Sequence, residues 1–175
     1  MKRFEIMTER LLLKPLGSEY FQTVKEYSLD YDNTRYMCCL PNESEEEAAD
    51  FLRGVDAEWD KERPGFYEFA ILYGGIHIGA VSIYNEEGMG ELGWILNKKY
   101  WGKGFAYEAA QALVDYFADH MGMSHFIAHC DTENAASYRV MEKLGMVRTG
   151  EWGGRRNRSA SEDTFEYRYE LVLRG

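Results

Sequence analysis

A loop of small residues lies where the sequence changes from a strand pattern to a helix pattern. Residues 92–96 have the apolar composition of a strand, and residues 108–121 have the periodicity of a helix. Between them, residues 100–106 read Tyr-Trp-Gly-Lys-Gly-Phe-Ala. The first backbone N–H groups of a helix have no helical acceptor and favour negative charge. Because small side chains leave these groups accessible, the sequence predicts a phosphate-binding turn.

Residue identity argues against the two common nucleotide-binding loops. A dinucleotide-binding fingerprint needs a third small residue where this chain has Tyr107. A Walker A loop needs Ser or Thr after its lysine, but Lys103 is followed by Gly104. The structural alternative is a tight turn before an ordinary helix.

Composition limits the class of protein. At 175 residues the chain is most simply one domain, residues 1–175, and 45% apolar residues are enough for a core. We expect no membrane span, no signal peptide and a cytoplasmic location. The three cysteines match neither a disulfide framework nor a zinc site, so we expect no metal. A formal net charge of −10 argues against broad nucleic-acid binding and is compatible with a cationic substrate.

The pattern of apolar residues predicts a chain that alternates strands with helices. A strand-helix-strand unit around the small-residue loop implies a parallel pair, whereas the strands before it form an antiparallel meander. Ser18 and Ser44 are the predicted N-caps of the first two helices. We predict strands at residues 8–16, 67–72, 76–84, 91–96, 126–130 and 165–173, and helices at residues 18–29, 44–59, 108–121 and 135–144.

The loop resembles the pyrophosphate loop of the GNAT superfamily, the acyl-CoA-dependent N-acetyltransferases. Gly104 and Ala106 occupy the last two positions of that motif. Trp101 stands where the superfamily consensus has Gln or Arg. The version with Tyr-Trp-Gly is similar to that of the branch containing the ribosomal-protein N-terminal alanine and serine acetyltransferases.

A second match lies in residues 134–146, which resemble the GNAT helix beside the pantetheine arm. Asn134 and Gly145 match the motif, whereas Met146 stands where Phe is usual. With the order of elements, the resemblance covers nearly the whole chain. It implies an α/β fold of the GNAT type: a mixed, mostly antiparallel sheet with helices on both faces and a splayed central parallel strand pair.

The resemblance implies acetyl-CoA as cosubstrate and assigns residues to it. In GNAT enzymes the cofactor contacts the free backbone of the central strand, the small-residue loop and the helix of the second motif. Asn134 is equally well explained as a plain N-cap. The implied cofactor-binding residues are Trp94, Ile95, Leu96, Trp101, Gly102, Lys103, Gly104, Phe105, Ala106, Tyr107, Asn134 and Ser137.

Many GNAT enzymes use a tyrosine to protonate the departing thiolate, and this chain has Met141 there. Ser137 is the nearest hydroxyl in register, three residues after Asn134 on the same helical face. In the ribosomal-protein branch a serine here is thought to bond the cofactor sulfur, so the resemblance implies Ser137 as the catalytic group. The alternative is a serine that satisfies the first helical turn. Tyr138 points about 100° away around the helix and is the weaker candidate.

Amide formation also needs a group that removes the amine proton. Glu91 opens the strand that leads into the loop, and we predict it as the base, acting through a water. The alternative is a solvated carboxylate at a turn. Asp131 and His129 are further candidates at the end of the next strand, and packing is the other interpretation of His129.

These features predict an enzyme that moves acetyl from acetyl-CoA to a primary amine by direct attack in a ternary complex. The acceptor is predicted as a protein N-terminus. A small-molecule amine (polyamine, aminoglycoside or amino acid) and a catalytically silent CoA-binding sensor are the alternatives. The partners are acetyl-CoA and the amine, without nucleic acid or membrane, and a homodimer is left open. Residues 31–41 and 151–163 are the expected substrate loops, and the latter carries the basic cluster Arg155, Arg156 and Arg158, interpreted as solvated or as an anion contact.

Overall fold

The computed structural model describes residues 3–40 and 42–173, in which eight strands form one sheet. The strands are β1 (Ile6–Met7), β2 (Leu11–Pro15), β3 (Phe66–Tyr73), β4 (Ile76–Glu86), β5 (Met89–Leu96), β6 (His125–Asp131), β7 (Val147–Arg155) and β8 (Thr164–Val172). The helices are α1 (Phe21–Ser28), α2 (Tyr31–Thr34), α3 (Glu45–Trp59), α4 (Phe105–Met121) and α5 (Ala135–Lys143), with single 3-10 turns at Ser18–Tyr20 and Lys98–Tyr100.

The sheet is mixed and mostly antiparallel, as predicted. Its spatial order is β1-β2-β3-β4-β5-β6-β8-β7. Every neighbouring pair is antiparallel except β5 and β6, which run parallel through the α4 crossover. The parallel pair is held by two register partners alone, Gly90 with Phe126 and Glu91 with Ile127. Beyond them the two strands diverge, and this opening is called the fork below.

Helices pack around this sheet. α1 and α3 pack on each other and on β4 and β3, whereas α4 packs on β2, β4 and β5. α5 contacts α4, β6 and β8. The core includes Phe69, Phe117 and Phe126, each fully buried. Burial of a side chain of this size contributes about 1.5–3 kcal/mol, so the core fixes the helix positions around the fork.

The predicted substrate loops contain more regular structure than expected. The first loop includes the short helix α2, and its Pro41 lies outside the described residues. The second begins within β7, a strand that the sequence did not predict. β7 is an edge strand exposed along most of its length, so it lacks the alternation of buried and exposed residues that marks a strand.

One predicted helix cap is wrong and the other is confirmed. The Ser18 side chain makes no cap hydrogen bond, because its hydroxyl donates to Asp56 Oδ2 at 2.7 Å. Ser44 caps α3 by accepting from the Glu47 backbone N–H at 3.1 Å. In the described ranges, no helix has the length and apolarity to cross a membrane.

Candidate active site

The fork leaves one edge of β5 without a partner strand. Residues 92–96 pair with β4 on one side, and no described strand pairs with them on the other. The predicted cofactor contacts Trp94, Ile95 and Leu96 lie on this stretch. The Leu96 carbonyl already accepts from Trp101 Nε1 at 2.9 Å and Asn33 Nδ2 at 2.5 Å. An extended ligand would therefore pair with the backbone before Leu96.

The small-residue loop forms an open turn at the N-terminus of α4. Gly102 and Gly104 have φ of 74° and 79°, in the left-handed region that favours glycine. Gly104 is the N-cap of this 17-residue helix. The N–H groups of Phe105, Ala106 and Tyr107 lie in its first turn and have no helical acceptor. A Cβ built on Gly102 meets no atom within 4 Å, so the turn has room for a phosphate.

The loop is anchored from behind by an ion pair. Arg10 Nη2 lies 2.6 Å from Glu108 Oε2, and Arg10 Nη1 donates to the Lys103 carbonyl at 3.1 Å. Thr8 Oγ1 donates to Glu108 Oε1 at 2.6 Å. Partial burial opposes ionisation of Glu108, but the hydrogen bonds from Thr8 and Arg10 hold its pKa below the ordinary value. The anchor joins the β1–β2 turn to the first turn of α4.

The second-motif helix α5 begins with an asparagine cap. Asn134 Oδ1 accepts from the Ser137 backbone N–H at 3.2 Å. Among the described residues the Ser137 hydroxyl has no hydrogen-bond partner, so it does not serve the helix turn. Met141 is 1% exposed and lies in the core. The Tyr138 ring faces Tyr167 of β8, 6.0 Å between centroids.

A carboxylate and an imidazole meet at the base of the fork. Glu91 Oε1 lies 2.7 Å from His129 Nδ1. Their side chains are 33% and 20% exposed, so both are open to solvent. Asp131 is buried instead, and it accepts from the Glu133 N–H at 2.8 Å and from Asn157 Nδ2 at 2.5 Å. This gives Asp131 a structural role in place of the base role considered for it.

The two predicted substrate loops are joined by Arg155. Its Nη2 donates to the Tyr36 carbonyl at 2.9 Å, its Nε donates to Asn157 Oδ1 at 2.9 Å, and Nη1 pairs with Glu166. The Arg155 side chain is 9% exposed. Asn157 continues the chain to Asp131 at the end of β6. Arg155 is therefore neither solvated nor free for an anion.

Arg158 makes a second connection between the same loops. Its Nη1 donates to the Cys39 carbonyl at 3.0 Å and to Glu47 Oε1 at 2.7 Å. Arg156, by contrast, is exposed and pairs with Asp163 within its own loop at 2.9 Å. The basic cluster thus divides into two residues that hold the loops together and one on the surface.

Cys130 lies on β6, the strand that forms one side of the fork. Cys130 is 3% exposed, and burial raises the pKa of its thiol to about 12. A thiol with this pKa is almost entirely protonated near pH 7 and is a poor nucleophile. Among the described residues, no group of three or more His, Cys, Asp or Glu side chains could hold a metal ion.

Comparison with known families identifies the chain. Residues 10–147 match the family model of the acetyltransferase (GNAT) domain. The chain belongs to the GNAT acetyltransferase family. GNAT relatives include the uncharacterized N-acetyltransferase YnaD of Bacillus subtilis (strain 168), 35% identical over 83% of this chain and 84% of its own. The uncharacterized N-acetyltransferase p20 of Bacillus licheniformis is 27% identical over 83% of both chains. This GNAT protein is an acyl-CoA-dependent acetyltransferase.

Solved GNAT structures superpose over almost the whole chain. An acetyltransferase (GNAT family) from Bacillus anthracis has a TM-score of 0.83 at 32% identity, covering 97% of this chain and 98% of its own. RimL, a ribosomal L7/L12 alpha-N-protein acetyltransferase in complex with coenzyme A, has a TM-score of 0.85 at 17% identity and the same coverage. The second likeness concerns the fold.

Some contacts at the site could not be predicted from the sequence. Arg10 is remote in sequence from the loop it anchors, and only the Thr-Glu-Arg-Leu run at the predicted first strand marks it. His129 was one of three base candidates, but its bond to Glu91 depends on the register of a parallel pair. No local pattern encodes that register.

Proposed function

We propose that this GNAT protein transfers acetyl from acetyl-CoA to a primary amine by direct attack in a ternary complex, and that the amine is a protein N-terminus. The observation that carries the proposal is the fork. It follows the Glu91–His129 pair on β5 and β6 and leads into the open turn before α4. Ser137, whose hydroxyl has no partner among the described residues, lies on α5, which packs on β6 and β8. These are the groups that aminolysis of a thioester requires.

Acetyl-CoA would be held at its pyrophosphate and along its pantetheine arm. The pyrophosphate would accept from the N–H groups of Phe105, Ala106 and Tyr107 at the positive end of α4. The pantetheine amides would pair with the free edge of β5 at Trp94 and Ile95, completing the sheet as an added strand does. This arrangement directs the thioester to the base of the fork.

The chemistry divides between two groups. The amine must be neutral to attack, and its proton leaves toward Glu91 and its partner His129. The thiolate that departs needs a donor, and the proposed donor is the Ser137 hydroxyl on α5, which has no partner among the described residues. A direct route needs no acyl-enzyme, in keeping with a Cys130 thiol whose pKa is about 12.

A CoA-binding sensor without catalysis is the second candidate. Met141 stands at the position where many GNAT enzymes have an acidic tyrosine, and it is buried and unable to donate a proton. If Ser137 does not take over that task, the fold would retain the cofactor and lose turnover.

Release of free thiol from acetyl-CoA would test the proposal against a panel of amines. Peptides beginning with alanine or serine, spermidine, an aminoglycoside and free amino acids would be compared, with a blocked N-acetyl peptide as control. Turnover with an unblocked peptide alone supports an N-terminal acceptor. Faster turnover with a small amine would show that the acceptor is a small molecule and not a protein N-terminus. Tight coenzyme A binding without any turnover would support the sensor.

A further inference from the structure

We infer that His129 is the group that takes the proton of the acceptor amine, and that Glu91 positions it. This inference rests on the proposed amine acetyltransferase function. It reverses the expectation from sequence, in which Glu91 is the base and His129 is a lesser candidate or a packing residue.

Strand register brings the two side chains together at the fork. Glu91 is the last residue of β5 with a partner on β6, where it lies opposite Ile127. His129 follows Ile127 by two residues, so its side chain projects from the same face of the sheet. The pair therefore spans the point where the strands begin to diverge.

Hydrogen bonding determines which nitrogen is available. An ionised carboxylate only accepts hydrogen bonds, so the Nδ1 atom 2.7 Å from Glu91 carries the proton. A neutral imidazole protonated at Nδ1 has its lone pair at Nε2. No hydrogen bond to His129 Nε2 is found among the residues at 3–40 and 42–173. His129 Nε2 is therefore the basic atom of the pair, and it has no hydrogen-bond partner among the described residues.

Charged and polar groups on the neighbouring strands face the ring. Arg168 lies opposite His129 on β8, and its Nε is 3.0 Å from Glu170 Oε1, an ion-pair distance without hydrogen-bond geometry. Tyr84 lies opposite Glu91 on β4 and donates to Glu68 at 2.7 Å.

The remaining neighbours are also accounted for. On β6 itself, His125 bonds to Glu170 and Asp131 bonds to Asn157. Glu166, opposite Asp131 on β8, pairs with Arg155, and Trp152 of β7 contributes an uncharged ring 6.2 Å from His129. Glu91 is thus the carboxylate that steadies an imidazolium at His129.

The proton transfer balances without a further reactant. The amine nitrogen forms a bond to the thioester carbon, and His129 Nε2 takes the N–H proton. The carbon–sulfur bond breaks, and the thiolate takes a proton from water, directly or through the Ser137 hydroxyl, which recovers its proton from water. The imidazolium then releases its proton to solvent, which reaches the ring because His129 is 20% exposed.

Kinetics of His129→Ala, with and without added imidazole, would test the assignment on the best acceptor of the panel above. We expect kcat to fall roughly 100-fold or more, the usual contribution of a general base, and free imidazole to restore part of it. His125→Ala is the matched control, since His125 is also on β6 and lies 2.7 Å from a carboxylate, Glu170 of β8; it should retain kcat and gain nothing from imidazole.

Glu91→Gln separates a positioning carboxylate from a base. Without the carboxylate the ring loses its hydrogen-bond partner at Nδ1, so kcat should fall, but by less than in His129→Ala. A larger loss in Glu91→Gln than in His129→Ala, or no rescue by imidazole, would overturn the inference and return the base role to Glu91.

An acceptor-free measurement keeps the inference distinct from the proposed function. Nitrogen-15 NMR of the histidine rings should show His129 protonated at Nδ1 in the wild type and a changed tautomer balance in Glu91→Gln. An Nε2-protonated ring in the wild type rejects the inference even if turnover is observed. Absence of turnover with every amine rejects the proposed function, and the inference with it.

Discussion

At the scale of single residues, α5 separates capping from chemistry within one helical turn. Asn134 accepts the Ser137 N–H, which satisfies the helix end. The Ser137 hydroxyl has no hydrogen-bond partner among the described residues, so it does not take part in the cap. The motif could be read from the sequence, but the packing of the Tyr138 ring on Tyr167 of β8 could not.

Ser137→Ala should lower kcat by roughly 10- to 100-fold and leave the KM for acetyl-CoA nearly unchanged, because the role proposed for the hydroxyl is at the departing sulfur. Steady-state kinetics on the best acceptor measures both constants. Tyr138→Phe is the control and should be nearly silent. A wild-type kcat in Ser137→Ala would assign the serine to structure.

Glu68 is a buried carboxyl group whose surroundings disfavour its ionised form. It is 7% exposed, and burial raises its pKa from 4.5 to about 7, although hydrogen bonds from Tyr84 and Ser82 oppose the rise. The folded state therefore holds a proton that the unfolded chain releases above pH 4.5. Stability falls as pH rises from about 4.5 to 7 and levels off above that.

Glu68→Gln should remove this dependence, because an amide accepts from Tyr84 without ionising. The free energy of unfolding lost by the wild type between pH 4.5 and 8 is on the order of 3 kcal/mol at most for this group. Urea titrations of both proteins at the two pH values would measure it. An equal pH dependence in Glu68→Gln would show that Glu68 is not the cause.

At the scale of elements, the turn before α4 is open on one side and is anchored on the other by Arg10 and Glu108. Gly104→Glu should abolish coenzyme A binding, since it places a carboxylate where the pyrophosphate is expected. Gly88→Glu is the matched control: Gly88 has φ of 88° and open space around it, but lies in the β4–β5 hairpin. Calorimetry should show unchanged affinity in Gly88→Glu. Unchanged affinity in a folded Gly104→Glu would remove the loop from the cofactor site.

The contacts of Arg155 and Arg158 that connect the two predicted substrate loops, called the joint below, are the second testable element. Arg155→Gln should lose charge-assisted hydrogen bonds worth about 2 kcal/mol and loosen both loops. We expect the acceptor KM to rise roughly tenfold, the acetyl-CoA KM to stay level, and proteolysis near Tyr36 to accelerate. Arg156→Gln, on the exposed pair with Asp163, should change none of these. Equal KM values and proteolysis rates in the two variants would show that Arg155 does not hold the loops together.

Elements were predictable where a buried face repeats. The α3 cap and stripe, the β3–β4 meander and the crossover around α4 carry such a repeat, and the structure has them. β7 does not, because it is exposed and interrupted by register shifts against β8. Ser18 had the right residue type for a cap, but Asp56 from α3 takes its hydroxyl, a contact that sequence spacing cannot reveal.

At the scale of the whole molecule, one sheet joins both ends of the described chain, from β1 to β8. We therefore expect one cooperative unfolding transition, as for a single domain. The four tryptophans lie in α3, in β5, in the turn before α4 and in β7, so they report from across the sheet. Urea curves followed by fluorescence and by circular dichroism should coincide, whereas separate midpoints would indicate independently unfolding parts.

The joint between the loops is built on main-chain oxygens. Arg155 donates to the Tyr36 carbonyl, the Arg158 backbone N–H to that of Met37, and the Arg158 guanidinium to that of Cys39. Every residue type presents the same carbonyl, so side chains at these positions can be exchanged over generations while the two loops keep their relative position. A gene copy encoding this scaffold can explore new acceptors without first losing the ability to fold.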